Sequence, residues 1–454
     1  MRTRVLSLAL LLLALACARD REPLVDSILL VTIDTCRADR IGCYGNANAF
    51  TPTLDRLASQ GVLFLNCVTQ VPSTLSSHAT ILTSLYPRNH GVPRNGFALP
   101  EDVQTIAQIF ADRGFQAAAF VGAFPVDHSF GLDRGFSVYD DTTESGPLGG
   151  ELERSASSVT ERAVAWLRQT GERPFFAWVH YFDPHWPYDP PKIYAEARRP
   201  DPGRYSPKSL ADANAIQFGL VPFDDKDREV FFAAYDGEIH YVDGALALLL
   251  ESIPEARRDR MLIVITGDHG EGFGRHGAFG HGKYLWSNAL EVPLILYGPT
   301  VCPAPRIEPA TVRLLDLAPT ILEAAGVPVP DHFEGQSLLD AARGPIEPRI
   351  AISEASKPWS VEEGAEYPNE LKAKSIWDDR WKFILTPYSG KKELYDLRVD
   401  PGEANNLIER EPRIARRLER ELLEWSRDNE PEEAGDDRTV EQDVRERLKS
   451  LGYY

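Results

Sequence analysis

Apolar positions along this chain follow two rhythms that take turns. Mostly apolar runs, the first and last rich in β-branched residues, occur at 27–33, 62–66, 115–121, 174–181 and 260–266. Runs of that length predict strands buried on both faces, as in a parallel sheet. Between them, apolar residues three and four apart predict helices at 52–61, 76–85, 104–114, 155–169, 227–253 and 314–325. The first of these has Pro52 at its start and Gly61 at its stop, the usual helix punctuation. Strands alternating with helices predict an α/β fold, a three-layer sandwich around a mostly parallel sheet. Beyond residue 345 the rhythm shortens to strands at 350–354, 374–376 and 381–385 and one helix at 414–427. That change predicts a small C-terminal α+β subdomain. The stretch 429–442 is dense in acids and reads as a solvated linker.

Residues 1–16 have the form of an export signal. Arg2 and Arg4 precede an apolar run too short to span a bilayer, and charge returns abruptly at 19–21. Ala16 before Cys17 predicts cleavage of the lipoprotein type, with a lipid on Cys17 as the one membrane attachment and a bacterial periplasm or cell envelope as the location. A plain secretory signal with an incidental cysteine is the alternative. The plan is then a signal at 1–16, a linker at 17–26, the main α/β domain at 27–345, the C-terminal subdomain at 346–430, and an acidic linker with a short tail at 431–454. Cys36, Cys43, Cys67 and Cys302 show no paired metal spacing. The last three read as small buried hydrophobes. A net charge of −19 repels nucleic-acid backbones and excludes a DNA or RNA role. An anionic substrate would need local positive charge, and a bound metal ion is the obvious source.

Four segments carry candidate chemistry. Asp34 ends the first buried run, where open α/β sheets place their ligands, although Asp is also a common cap. Ser73-Thr74-Leu75-Ser76-Ser77-His78 sets hydroxyls at a helix start, where backbone N–H groups favour an anion or simply an ordinary cap. His180-Tyr181-Phe182-Asp183-Pro184-His185-Trp186-Pro187-Tyr188 follows an apolar run and is dense in His, Asp and aromatics. Trp186 and Tyr188 offer faces for a substrate ring or a wall for the pocket. Asp268-His269-Gly270-Glu271 ends another apolar run and leads to His276, His281 and Lys283. Clustered His with carboxylates is a metal-site signal. The loops at 140–151 and 195–223 are where pocket specificity is expected, and they carry no readable code.

Taken together, these segments resemble the sulfatase family of the alkaline-phosphatase superfamily. Asp34 through Tyr44-Gly45-Asn46 resembles the family's first metal loop. Residues 74–87 resemble its nucleophile segment, which ends in a Leu-Thr-Gly-x-Tyr-Pro pattern. Gly267-Asp268-His269-Gly270-Glu271 resembles its second metal loop. Asp316-Leu317-Ala318-Pro319-Thr320 and Glu393-Leu394-Tyr395-Asp396-Leu397 resemble two C-terminal signatures. Five signatures in the family's order are more specific than any one of them. The resemblance implies an alkaline-phosphatase-like fold with a catalytic domain at 27–345. It implies a hydrolase of sulfate or phosphate esters with one divalent metal of the Ca, Mn or Zn class on Asp34, Thr74, Asp268 and His269.

The departures are informative. Cys36-Arg37-Ala38-Asp39-Arg40 fits the family's formylglycine string but sits two residues after Asp34, so it is read as a chance match. Counting back from Tyr86-Pro87 puts Thr74 at the nucleophile position and His78 at the family's arginine. Threonine cannot become formylglycine, so none is expected. Thr35 replaces the second of the paired acids. The usual Lys and His after the next strand are missing, and His128 is the stand-in. The resemblance then casts Thr74 as a metal-activated nucleophile and His185 and His281 as acid–base groups. His78, His128, Asp183 and Lys283 become substrate-binding candidates. Asp183, His185 and His281 are the candidate set for a second metal. The expected partner is a small-molecule, glycan or lipid anionic ester. Alternatives are a phosphodiesterase or phosphonate hydrolase, an envelope headgroup transferase of the phosphoglycerol or phosphoethanolamine type, and an inactive surface-binding lipoprotein.

Overall fold

The computed structural model describes residues 23–145, 151–195, 200–201, 203–355, 372–428 and 440–451. The signal at 1–16, Cys17 and most of the acidic stretch 429–442 lie outside these. Eight strands form the central sheet: β1 (Ser27–Ile33), β2 (Val62–Val68), β3 (Gln116–Val121), β4 (Val138–Asp140), β5 (Phe175–Tyr181), β6 (Met261–Gly267), β7 (Glu291–Tyr297) and β8 (Arg306–Arg313). Their spatial order is β8-β2-β7-β6-β1-β5-β3-β4. β7 runs antiparallel to both its neighbours, and the other pairs are parallel.

The α/β expectation and the mostly parallel sheet therefore hold. β7 and β8 were not legible as strands, and the reason is proline. Pro293 and Pro309 each lack an N–H for the ladder, which demotes the segment in a sequence reading. In the fold both prolines sit at register shifts, between Val292 and Leu294 and between Glu308 and Thr311. A bulge accommodates the missing donor.

Alternate residues of the central strands feed two cores. Ile28, Leu30, Leu262 and Val264 face one side, with α2 (Thr74–Thr83), α3 (Ile106–Asp112) and α7 (Leu317–Ala324). Leu29, Val31, Ile263 and Ile265 face the other, with α1 (Pro52–Gln60), α4 (Ala156–Leu167) and α6 (Asp225–Glu251). The short helix α5 (Leu210–Gln217) lies in the insertion before α6. Burying a Leu or Ile side chain in such a core is worth roughly 1.5–3 kcal/mol, so the sheet is rigid enough to fix what stands at its edge.

The C-terminal part is an antiparallel meander of β9 (Ala351–Glu354), β10 (Lys374–Trp377), β11 (Trp381–Thr386) and β12 (Lys391–Asp396). Helix α8 (Pro412–Asp428) lays Ala415, Leu418 and Leu422 on Ile376, Phe383 and Leu394. Composition placed residue 442 in the linker, but it opens helix α9 (Gln442–Ser450). Leu448 and Leu451 of this last segment join the main-domain core. The pull of two apolar side chains outweighs the surrounding charge.

Candidate active site

The site follows from register. Ile33 of β1 pairs with Tyr181 of β5 and with Gly267 of β6, so three parallel strands end at one level. The next residues are Asp34, Phe182 and Asp268. After Asp34 the chain turns through Thr35, which has a left-handed φ of 52°. That conformation is costly for a β-branched residue and persists only where neighbours enforce it. Here the Thr35 hydroxyl donates to the Pro184 carbonyl at 2.7 Å, and its carbonyl accepts from the Tyr235 hydroxyl at 2.6 Å. The turn ties the Asp34 loop to the loop carrying His185.

Asp34, Asp268 and His269 are fully buried, with one donor atom from each lying within 4.8 Å of the others. Asp268 uses Oδ1 to accept from the Thr35 and His269 N–H groups, at 3.0 and 2.7 Å. Its Oδ2 and both Asp34 oxygens are buried without a hydrogen-bond donor of ordinary geometry. The His269 Nδ1–H donates to the Gly270 carbonyl at 2.9 Å, which fixes the tautomer with its lone pair on Nε2. That Nε2 lies 3.5 Å from Asp268 Oδ2 and 3.3 Å from Thr74 Oγ1.

Burial, reinforced by Asp268, pushes the Asp34 carboxyl well above its ordinary range, while the nearby Thr74 hydroxyl pulls the other way. His269 is raised although burial lowers it, because Asp268 and Asp34 outweigh that penalty. Both shifts say the same thing: this pocket is short of positive charge. Orphaned carboxylate oxygens beside an imidazole lone pair and a hydroxyl are a donor set that fits a divalent ion.

Thr74 opens helix α2, not the middle of a turn, and the whole helix is buried. The family-resembling segment therefore puts the hydroxyl at the positive end of the helix dipole. His78, one turn on, lies with Nδ1 3.7 Å from Asp268 Oδ2. Its Nδ1–H donates to the Thr74 carbonyl at 2.7 Å, and its Nε2 accepts from the Thr32 hydroxyl at 2.9 Å. Thr32 in turn accepts from the Trp178 indole at 2.9 Å. Burial, with His180 adding to it, lowers His78 to about 3, so it is a neutral strut under the Thr74 turn.

His185 stacks on Phe182 at 4.4 Å and donates from Nδ1 to the Trp186 carbonyl at 2.7 Å. The His281 ring stands 5.2 Å from His185 and 4.4 Å from His269, with Nδ1 3.4 Å from Glu271 Oε2. Burial holds both His185 and His281 well below the ordinary imidazole range. Lys283 follows two residues after His281.

The remaining candidates are placed as follows. Asp183 accepts from the Ala156 N–H at 2.9 Å, capping the start of α4. Among the described residues, Asp183, His185 and His281 are not a convergent ligand group, so the second-metal set is not assembled. His128 has a ring 65% exposed and pairs with Asp141 at 2.6 Å, in a separate group with Asp127. A polar residue beyond a strand end is as readily drawn to water as to the site. Cys36 is fully buried, and burial pushes its thiol far up, away from any reactive form.

Two residues were missed. His180, on β5 beside Thr32, sets Nε2 3.4 Å from Asp34 Oδ2 and is lowered to about 4 by burial. It stood inside a quoted segment, and a polar residue at the last turn of an apolar run was the available signal. Asn95 is buried, with Oδ1 accepting from the Leu75 N–H at 2.8 Å and the Ser73 hydroxyl at 3.0 Å. Its Nδ2 is buried without a partner. Nothing local in the sequence marks it, because its role comes from a fold contact with the start of α2.

Comparison with known proteins gives the family and the fold. The sulfatase family model matches residues 26–327, and the model for the C-terminal part of N-sulphoglucosamine sulphohydrolase matches residues 274–428. The chain belongs to the sulfatase family and so to the sulfuric ester hydrolases, within the alkaline-phosphatase superfamily. It is 26% identical to an arylsulfatase of Clostridium perfringens, covering 85% of this chain and 90% of that one. It is 25% identical to a Delta 4,5-hexuronate-2-O-sulfatase of Bacteroides thetaiotaomicron, covering 89% of each. The fold matches the phosphonate monoester hydrolase of Agrobacterium radiobacter with a TM-score of 0.73 at 23% identity, over 90% of this chain and 96% of that one.

Proposed function

We propose that Thr74 is the nucleophile of a metal-dependent hydrolase that opens sulfate or phosphate esters. The observation that carries this reading is the Thr74 hydroxyl 3.3 Å from His269 Nε2, beside the orphaned oxygens of Asp34 and Asp268. Sulfatase-family enzymes use a divalent metal, and Asp34, Asp268, His269 and Thr74 would hold it. Such an ion supplies positive charge that acidifies a bound hydroxyl and polarises a non-bridging ester oxygen. The remaining work falls to side chains. His180 Nε2 sits against Asp34 and steadies that carboxylate. Asn95, fixed through Oδ1, presents its amide N–H₂ at the start of α2, where a charged ester oxygen would arrive. His185 and His281 have Nδ1 committed, so the Nε2 lone pair of one of them takes the single proton released by the Thr74 hydroxyl and returns it to the leaving oxygen as the ester bond breaks.

Thr74 has a single hydroxyl. A formylglycine diol can expel sulfate by collapsing to the aldehyde, and a threonine ester has no such route. Water must instead attack the sulfur or phosphorus of the Thr74-bound group. This favours, as a second reading, phosphodiester or phosphonate chemistry, in line with the phosphonate monoester hydrolase whose fold is shared. Curated relatives act on sulfated glycans by name, and a glycan ester is the natural substrate class on the sulfate reading. We also propose that residues 1–16 are an export signal and that a lipid on Cys17 holds the enzyme at a bacterial envelope; metabolic labelling with a palmitate analogue, lost in Cys17→Ala, checks this. The function itself is tested with aryl sulfates, aryl phosphates and bis-aryl phosphates on wild type and Thr74→Ala. Turnover lost with metal content retained supports the assignment. Undiminished turnover removes it.

A further inference from the structure

The chain leaves the catalytic centre along a path that ends in an exposed aromatic ring. From His281 it passes Gly282, where a Cβ would lie 3.8 Å from the Pro72 carbonyl of the nucleophile segment. Lys283 comes next and is half-buried. Its ammonium stands 5.8 Å from the centre of the Phe218 ring. Phe218 caps the C-terminal end of α5, and its neighbour Gln217 lies against Gly280, where a Cβ would meet the side-chain amide at 3.2 Å. The end of α5 is thus pinned to the loop that carries His281. Phe218 is 51% exposed and Leu220 is 76% exposed. Trp186 and Tyr188, the aromatic faces the sequence offered for a substrate ring, are 6% and 0% exposed. Both are packed into the core on that side of the sheet and present no face to a ligand.

We propose that Phe218 and Lys283 form a leaving-group subsite for a ring that carries a second anionic group beside the ester being cleaved. The inference rests on the Thr74 site being the ester-opening centre. An apolar ring face placed over Phe218 removes water from both surfaces, and Leu220 extends that surface. An ammonium is a compact point charge without the planar demand of a guanidinium, so it accepts sulfate or carboxylate alike. In a chain of net charge −19, a second anionic group is held best where a cation stands, and Lys283 supplies one two residues from His281.

The test is equilibrium binding to the full-length Thr74→Ala protein, which needs no turnover. Fluorescence anisotropy of 6-hydroxynaphthalene-2-sulfonate is compared with that of 2-naphthol, and 3-hydroxypropane-1-sulfonate is used as a ringless competitor. The naphthol sulfonate should bind at least about tenfold more tightly than either partial probe. Lys283→Met should weaken it about five- to tenfold while changing 2-naphthol about twofold or less. Phe218→Ala should weaken both ring probes and leave the ringless competitor alone. Phe218 is surface-exposed, so its removal spares the fold, and Lys283→Arg should recover much of the Met loss. Equal affinity for naphthol and naphthol sulfonate, or equal losses for both in Lys283→Met, overturns the subsite. Turnover that survives Thr74→Ala overturns the reading of the centre instead, and the two failures are told apart by their readouts.

Discussion

Two groups of carboxylates and imidazole stand in this molecule with almost the same ingredients and opposite physics. Asp34, Asp268 and His269 lie at the ends of β1 and β6 and are sealed from water; Asp127, His128 and Asp141 lie past β3 and β4 with the imidazole out in solvent. In the exposed group the Asp141 carboxylate accepts from both His128 nitrogen donors, backbone and ring, at 2.8 and 2.6 Å. In the buried group three carboxylate oxygens find no such donor. An ionised carboxylate without a partner costs little in water and several kcal/mol inside a protein, so burial alone turns a surface pair into a demand for a cation. Residue types propose a metal site, and burial decides whether one is needed.

The largest effect that separates the two groups is on turnover. Thr74→Ala and Asp268→Asn should each lower kcat by about 10³-fold or more, because each removes a group that acts only as part of a unit. Asp141→Asn should stay within about twofold. A steady-state comparison of the three on one aryl ester decides this, and a large loss in Asp141→Asn would erase the distinction.

The proposed acid–base pair comes next. His185→Ala and His281→Ala should lower kcat about 10²–10⁴-fold, and an activated aryl leaving group should recover more of the loss than an alkyl one. Glu271→Gln should weaken kcat less than His281→Ala, since it only loosens the 3.4 Å contact that orients the ring. Equal losses for aryl and alkyl esters would deny these imidazoles a role at the leaving oxygen.

Metal removal is expressed in stability. A ligand that binds only the folded state at 100 times its Kd adds about 2.7 kcal/mol. Dialysis against a chelator should therefore lower the thermal midpoint of the wild type. Readdition of Mn²⁺, Zn²⁺ or Ca²⁺ should restore it, and Asp34→Asn should flatten the response where Asp141→Asn keeps it. A chelator response that persists in Asp34→Asn would place the ion elsewhere.

These contrasts show which parts of the site were legible. Asp34, Asp268 and His269 end apolar runs and precede turns, so their place at the sheet edge could be read from pattern. Thr74 was reached only by counting within a resembling segment. His180 was overlooked because it is the penultimate residue of a fully buried strand and reads as core. Asn95 is set by a contact with the start of α2 that no local pattern encodes. His128 also lies beyond a strand end, and solvent exposure, a property of the folded chain, is what separates it from the buried group. The fold was more legible than the site because hydrophobic period is a local signal. It failed at β7 and β8, where Pro293 and Pro309 interrupt the ladder, and at α9, where two leucines decide.

Buried and exposed imidazoles also carry opposite pH signs. His90 is buried, with Nε2 against the Thr80 hydroxyl and Nδ1 accepting from the Val92 N–H, and burial lowers it to about 3. The unfolded chain binds a proton near pH 6.5 that the folded chain refuses, so stability is highest above that pH and falls as pH drops toward 3. The slope is about 1.4 kcal/mol per pH unit for this one group. In His90→Asn the slope of unfolding free energy against pH should fall by about that amount between pH 4 and 6, whatever the absolute stability of the variant. An unchanged slope would mean that His90 titrates normally.

His128 gives the smallest effect and the reverse sign. Its hydrogen bond to Asp141, ahead of the charges of Asp127 and Asp141, raises its pKa. A raised folded pKa means that the native state holds the proton more tightly than the unfolded chain. The stabilisation is fully present below the unfolded pKa of about 6.5 and is lost as pH rises through the folded value. Because the ring is mostly in water, solvent screening keeps the gain to a small fraction of what a buried pair would give. The difference in stability between wild type and His128→Ala should therefore be slight below pH 6, smaller still above the folded pKa, and reduced by salt. Added metal should leave that difference unchanged. A metal-dependent shift of the His128 ring protons in an NMR titration would show that burial is not what separates the two groups, and the contrast drawn between them would fall.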